Sequence, residues 1–224
     1  MRLIQAGGIR LAYRESGPAS APPLVLLHSL GENSADWDQV AAALAGFCHV
    51  YALDLRGHGQ SDWPGTYTLE LLRDDVLAFL DALELPRVTV IGHSMGGAAA
   101  YLVAMRQPER VGRLVLEEPA PPWPRVPRSP VRPPGPLSFD WAVTVLSAEA
   151  SAPPASSRDG LAAITAPTLV IAGAEDPATP PWHGAVIASA IPGARLAVVR
   201  GAAHLASVSA PGQVCCGVLG FLLG

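Results

Sequence analysis

The sequence predicts an α/β fold with a mostly parallel central sheet wound on both faces by helices. Short apolar runs rich in Val, Ile and Leu recur along the chain, helical patterns lie between them, and Gly or Pro marks the joins. The 224 residues fall in the range of one large domain, so a single domain over 1–224 is the expectation. Half of the residues are hydrophobic and only 15% are charged, which excludes a disordered chain and favours a packed globule.

Taken in order, Leu3 to Gln5 and Ile9 to Tyr13 flank Gly7-Gly8 and read as a hairpin at the sheet edge. The runs Leu24 to Leu27, Val50 to Leu53, Val88 to Ile91, Leu114 to Leu116, Leu169 to Ile171 and Leu196 to Val199 are near-continuously apolar. That pattern suits strands buried on both faces of a parallel sheet. Helical patterns cover Asp36 to Ala45, Leu69 to Leu83, Ala98 to Arg106, Trp182 to Ala190 and the segment around Val214 to Leu223. In such a sheet ligands sit at the carboxyl ends of the strands.

One region breaks the alternation. The proline density from Pro119 to Pro136 forbids a regular helix or a central strand. Phe139 to Ala148 can form a short helix, and Ala150 to Ser157 is again rich in Pro, Ala and Ser. The whole insert, 119–160, reads as a short lid. The plainer alternative is a disordered linker, but Trp123, Phe139 and Trp141 give the insert surface worth burying.

A formal charge of −4 with scattered Arg residues leaves no electrostatic footprint for nucleic acid or an anionic membrane, so a small-molecule partner is expected. The cysteines are Cys48 and the adjacent pair Cys215 and Cys216; neighbours make a strained disulfide, and an odd count implies a reducing compartment. Met1 to Arg14 has no apolar stretch of signal-peptide length and no segment reaches about 18 apolar residues, so a cytoplasmic location is expected. No histidine pair has helical metal spacing and no C-x-x-C occurs, which argues against a metal site.

The strongest chemical signal is Gly92-His93-Ser94-Met95-Gly96-Gly97, a G-x-S-x-G sequence directly after a predicted strand and before a predicted helix. In that context the serine sits on a sharp turn that exposes its hydroxyl, and the glycines remove side chains that would collide in it. Serine at neutral pH needs a base. His204 lies between the last predicted strand and the last helix, and Asp176 follows the strand ending near Ala172. The order Ser, Asp, His puts each group at the carboxyl end of its own strand, with Asp176 fixing the His204 tautomer. Glu175, Glu117 and Glu118 are alternative carboxylates. His28, His49, His58, His93 and His183 are weaker candidates for the base: His93 should point away from Ser94, and His58 reads as loop packing. An oxyanion hole needs two amides, assigned to Met95 and to Leu30 in His28-Ser29-Leu30-Gly31, with Ser29 as the alternative donor. A plain strand-to-helix turn is the other reading of that loop.

With these residues in place the chain resembles the α/β-hydrolase superfamily over nearly its whole length. Asp54-Leu55-Arg56-Gly57-His58-Gly59-Gln60-Ser61 looks like that family's D-x-R-G-x-G-x-S loop, which is structural there. The segment Ala172 to Pro181 and the His204-Leu205-Ala206 context look like 3-oxoadipate enol-lactonases. The resemblance implies esterase or lactonase chemistry without a cofactor, and a nucleophilic Ser argues against dehalogenases and epoxide hydrolases, which carry Asp there. The insert is shorter than the multi-helix lid usual in such relatives, so a more open site is expected. Ser29, Trp37, Trp123 and Trp141 are the candidate substrate-binding residues, and the apolar character of the expected pocket walls, Trp37, Trp63, Met95, Trp123 and Trp141, points to small or medium apolar acyl groups. The same three residues also serve thioesterases, acyltransferases, perhydrolases and biosynthetic cyclases or epimerases, and a ligand-binding receptor with slow turnover is the reading from another class.

Overall fold

The computed structural model describes residues 1–123, 130–146 and 159–224. Among the described residues eight strands form one sheet: β1 (Arg2–Ala6), β2 (Ile9–Ser16), β3 (Pro23–Leu27), β4 (His49–Leu53), β5 (Val88–His93), β6 (Val111–Glu117), β7 (Thr168–Gly173) and β8 (Arg195–Val199). Their order is β1-β2-β4-β3-β5-β6-β7-β8. The first two pairings are antiparallel and the remainder parallel. Every run expected to be a strand is one. The hairpin turn holds Gly7 and Gly8 at φ 58° and 85°, the twin positive angles of a two-residue connection that matches strand twist.

The helices among the described residues are α1 (Asp38–Leu44), α2 (Leu69–Ala82), α3 (Met95–Arg106), α4 (Pro181–Ala190), α5 (Ala206–Ser209) and α6 (Pro211–Leu223). Thr68 caps α2 by accepting the Leu71 amide at 3.1 Å. The side-chain alternation of β3 divides the core. Val25 and Leu27 join residues of α2, α3 and α4 on one face, while Leu24 and Leu26 join residues of α1 and α6 on the other. All four are fully buried, which is why β3 reads as continuously apolar. No helix among the described residues is long and apolar enough to cross a membrane.

The lid expectation falls partly on residues 124–129 and 147–158, outside the described residues. Within them, 119–123 and 130–138 carry no regular helix, and the short helix expected from Phe139 begins as a 3-10 turn at Trp141–Thr144. Asp140 caps it by accepting the Ala142 amide at 3.0 Å. This segment is tied to the Asp54–Ser61 loop. The Gly59 amide donates to the Ser138 carbonyl at 2.9 Å, the Asp140 amide to Gly57 at 2.7 Å, and the Tyr67 hydroxyl to Asp140 Oδ2 at 2.7 Å.

Candidate active site

Ser94 lies between β5 and α3 at φ 50°, ψ −108°, a strained region for a residue with a side chain. Neighbouring backbone holds it there. Its amide donates to the Glu117 carbonyl at 2.9 Å, and its carbonyl accepts the amides of Ala98 and Ala120, each at 3.0 Å. A Cβ at Gly96 would overlap the carbonyl oxygens of Leu27 and His28, and one at Gly92 the Gly96 carbonyl, so the turn closes only with glycine at both places. Ser94 is half-buried rather than sealed.

His204 Nε2 stands 3.0 Å from Ser94 Oγ, and His204 Nδ1 stands 2.7 Å from Asp176 Oδ2. Asp176 is buried but fully engaged: Oδ1 accepts the amides of Ala178 at 2.7 Å and Thr179 at 3.1 Å, and Oδ2 accepts the Thr179 hydroxyl as well as His204. Burial works to raise the Asp176 carboxyl, but the bonds from His204 and Thr179 and the His204 charge outweigh it and hold the group below the usual carboxylate range. Thr179 was not singled out by sequence reasoning. The available signal was Asp176-Pro177-Ala178-Thr179, a carboxylate followed at the third position by a hydroxyl, the spacing at which an Asp side chain closes onto its own chain.

Of the other carboxylates weighed, Glu175 is exposed and Glu117 accepts the Ser207 amide at the start of α5. Glu118 Oε1 accepts the Gly173 amide at 2.9 Å, while its Oε2 comes within 3.9 Å of His204 Nδ1. His93 turns away from Ser94: its Nε2 donates to the His204 carbonyl at 2.6 Å. Glu118 Oε2 lies 3.4 Å from the same nitrogen and Glu32 Oε2 lies 3.6 Å from Nδ1. Burial works to lower the His93 value, but contacts with Glu118 and Glu32 and the Glu117 charge prevail and raise it to about 10. Burial pushes Glu117 up, towards the neutral acid. His93, Glu118 and His204 bring three potential ligand atoms within 4.8 Å of one another, yet His93 Nε2 and His204 Nδ1 are already occupied by a carbonyl and a carboxylate.

The His93 value is raised in the folded chain above its ordinary 6.5, so its contribution is complete below about pH 6.5 and disappears as pH rises through about 10. Melting temperature measured from about pH 6 to about pH 11 should fall more steeply for the unsubstituted chain than for His93→Gln. Parallel curves would show that the ring carries no proton above its ordinary range.

The loop expected to supply the second oxyanion donor is held by histidines. The Gly31 amide donates to His58 Nε2 at 3.1 Å, and the Leu55 amide to His28 Nε2 at 2.9 Å. Both rings therefore accept at Nε2, with their protons on Nδ1 directed at the Arg56 and Ser29 carbonyls. Burial, with the neighbouring His28, drives His58 down to about 3, which keeps it neutral. His58 is thus more than loop packing: its face also stacks on Phe139 of the insert at 5.6 Å. Met95 is the first residue of α3, where an α-helix leaves amides without internal acceptors, and Leu30 lies on the turn beside Gly31.

The pocket expectation needs one correction. Trp37 is 2% exposed and packs with Val40, Leu44, Val214 and Val218 between the sheet and helices α1 and α6, so it is core and not a pocket wall. The 3-10 turn Ser34–Trp37 leading into α1 carries its indole under the sheet. Ser29 and Met95 are buried, Trp63 is exposed, and Trp141 packs against Phe139 at 6.1 Å. Trp123 stacks on Trp182 at 6.4 Å and meets His183 edge-on at 5.5 Å, joining the segment after β6 to the start of α4.

Comparison with known proteins agrees with this architecture. The family model described as "alpha/beta hydrolase fold" matches residues 22–159, and a model described as "TAP-like protein" matches residues 140–222. An uncharacterized protein of Mycobacterium tuberculosis is 42% identical over 49% of this chain, an alignment that spans only 32% of that relative's length. The 3-oxoadipate enol-lactonase 2 of Acinetobacter baylyi is 31% identical over 93% of this chain and 91% of that enzyme. Among solved structures, the enol-lactonase from Burkholderia xenovorans superposes with a TM-score of 0.84 at 28% identity, covering all of both chains. A family match over more than half of the residues, joined to the sheet order and the Ser94 turn, makes this chain a member of the alpha/beta hydrolase fold family.

Proposed function

We propose that the chain is a serine hydrolase of carboxylic esters or lactones, with Ser94 as nucleophile, His204 as general base and acid, and Asp176 as the group that orients His204. The observation that carries this reading is the unbroken chain from Ser94 Oγ through both His204 nitrogens to Asp176 Oδ2, at 3.0 and 2.7 Å. The relatives named enol-lactonases support the ester or lactone class. In the first half-reaction Ser94 Oγ bonds to the acyl carbon while His204 Nε2 takes its proton. The tetrahedral oxyanion faces the Met95 and Leu30 amides, with Ser29 as the alternative to Leu30. Collapse breaks the bond to the leaving oxygen, which takes the proton from His204. Water then repeats the sequence on the acyl-enzyme and releases the acid, with no cofactor in either half. Trp123, Trp141 and Ser29 remain the candidate substrate contacts, and a small to medium apolar acyl group is the proposed preference. The insert 119–160 is read as a short lid on a single domain, and the half-buried Ser94 supports a comparatively open site.

Hydrolysis of p-nitrophenyl acetate and butyrate, together with fluorophosphonate labelling, tests the reading. Ser94→Ala is expected to lose about 10⁴-fold or more in kcat and all labelling. Turnover that survives in the variant would overturn the assignment of Ser94.

A further inference from the structure

Two loops must be held in register for the Ser94, His204 and Asp176 chain to form, and both meet at one buried group of side chains. Glu118 Oε1 accepts the Gly173 amide at the root of the Asp176 loop. Glu117 accepts the Ser207 amide just beyond His204. His93 joins the two sets, since its Nε2 faces both the His204 carbonyl and Glu118 Oε2. A carbonyl oxygen can only accept, so His93 Nε2 carries a proton. Nδ1 faces Glu32 Oε2, another acceptor, which favours a proton there too. His93 is 1% exposed and Glu118 is equally buried, and Glu118 Oε2 has no hydrogen-bond partner among the described residues, so the cation beside it is what offsets its burial.

We propose that His93 is a positioning residue for the proposed acyl transfer: as an imidazolium held by Glu118 and Glu32, it fixes the His204 backbone through its carbonyl and balances the Glu118 charge beside the His204 ring. The proposal rests on the reading of His204 as general base. The charged and titratable groups facing His93 are Glu32 from the loop after β3, Glu117 and Glu118 from the end of β6, and His204 from the loop after β8, its ring 5.0 Å away. The direction of the His93 shift given above agrees with a charged ring. Glu118 thus serves both sides: its Oε1 anchors the acid loop, and its Oε2 supplies a negative charge 3.9 Å from His204 Nδ1 that His93 partly cancels.

Three measurements test this. Nitrogen-15 spectra of the unsubstituted protein should show both His93 ring nitrogens protonated at about pH 8, and a neutral ring there overturns the proposal whatever the enzyme's activity. His93→Leu, which cannot donate, should lower kcat by about 10²-fold with KM within about threefold, and His93→Gln, which can donate, should recover about tenfold of the loss. A His93→Leu kcat equal to that of the unsubstituted chain overturns it. Should His93→Leu fail to fold, His93→Gln decides: it keeps a donor but not the charge, so its kcat should stay about tenfold below that of the unsubstituted chain, and an equal kcat overturns the charge-balance role. An unsubstituted protein without turnover or labelling would sink the hydrolase reading instead, and the nitrogen-15 measurement would still decide the state of His93.

Discussion

Replacing Asp176 by Asn is expected to lower kcat by about 10⁴-fold on p-nitrophenyl esters while leaving the fold intact. The size of the effect follows from the asymmetry of the Asp176 site. Oδ1 accepts two backbone amides, from Ala178 and Thr179, so an Asn must place its oxygen there to avoid setting donor against donor. Its NH₂ is then forced towards Thr179 Oγ1 and His204 Nδ1, where it can only donate. His204 would accept at Nδ1 and carry its proton on Nε2, the nitrogen that faces Ser94 Oγ at 3.0 Å. A protonated Nε2 cannot take the serine proton. Asp176→Ala imposes no tautomer and leaves Glu118 Oε2 as the next carboxylate, so it should retain about tenfold more activity than the Asn variant. Equal activities in the two variants would show that Asp176 does not act by setting the tautomer.

Gly96→Ala is expected to destabilise the protein by about 3 kcal/mol, towards the upper end for overpacking, because the added methyl meets fixed backbone instead of a side chain that can rotate. The Leu27 and His28 carbonyls lie where that Cβ would go, and both belong to β3 and the loop leaving it, at the centre of the sheet. At this chain length the loss corresponds to a fall of about 6–12 °C in melting temperature. Relief of the clash must move either the start of α3 or the His28–Gly31 loop, the two elements proposed to carry the oxyanion donors. Activity at a temperature where the variant remains folded should therefore drop as well. A Gly96→Ala protein with unchanged melting temperature and turnover would mean that the turn has slack that the packing denies. Gly212, by contrast, has nothing near its Cβ direction among the described residues, and Gly212→Ala makes the matched control.

The neutral pair His28 and His58 shows how the same loop is fixed without charge. Their protons go to backbone carbonyls and their free nitrogens accept the Leu55 and Gly31 amides, so the geometry does not titrate near neutrality. Phe139 on the His58 face joins the described part of the insert to this loop. The candidate oxyanion loop and the segment around Phe139 are thereby one packed unit.

The order and type of the elements were legible because they are local properties. Continuous apolar runs mark strands buried on both faces, a 3.6-residue period marks helices, and a proline cluster marks where neither can continue. The Ser94 turn was legible for the same reason: strand, G-x-S-x-G and helix are contiguous, and the two glycines are required by contacts within and beside that segment. The choice among Asp176, Glu175, Glu117 and Glu118 was not local. It depends on how far the ends of β6 and β7 stand from the β8 loop, which strand register decides: Glu117 aligns with His93 on one side and with Ile171 on the other. Trp37 looked like a pocket residue because an aromatic in the helical pattern just after the candidate oxyanion loop gives no sign of which sheet face it will meet. The tertiary fold buried it beneath the sheet instead. His93 shows the same division, since its identity was plain in the motif, whereas its partners, Glu32 and the His204 carbonyl, come from loops 61 and 111 residues away along the chain that only the closed sheet brings together.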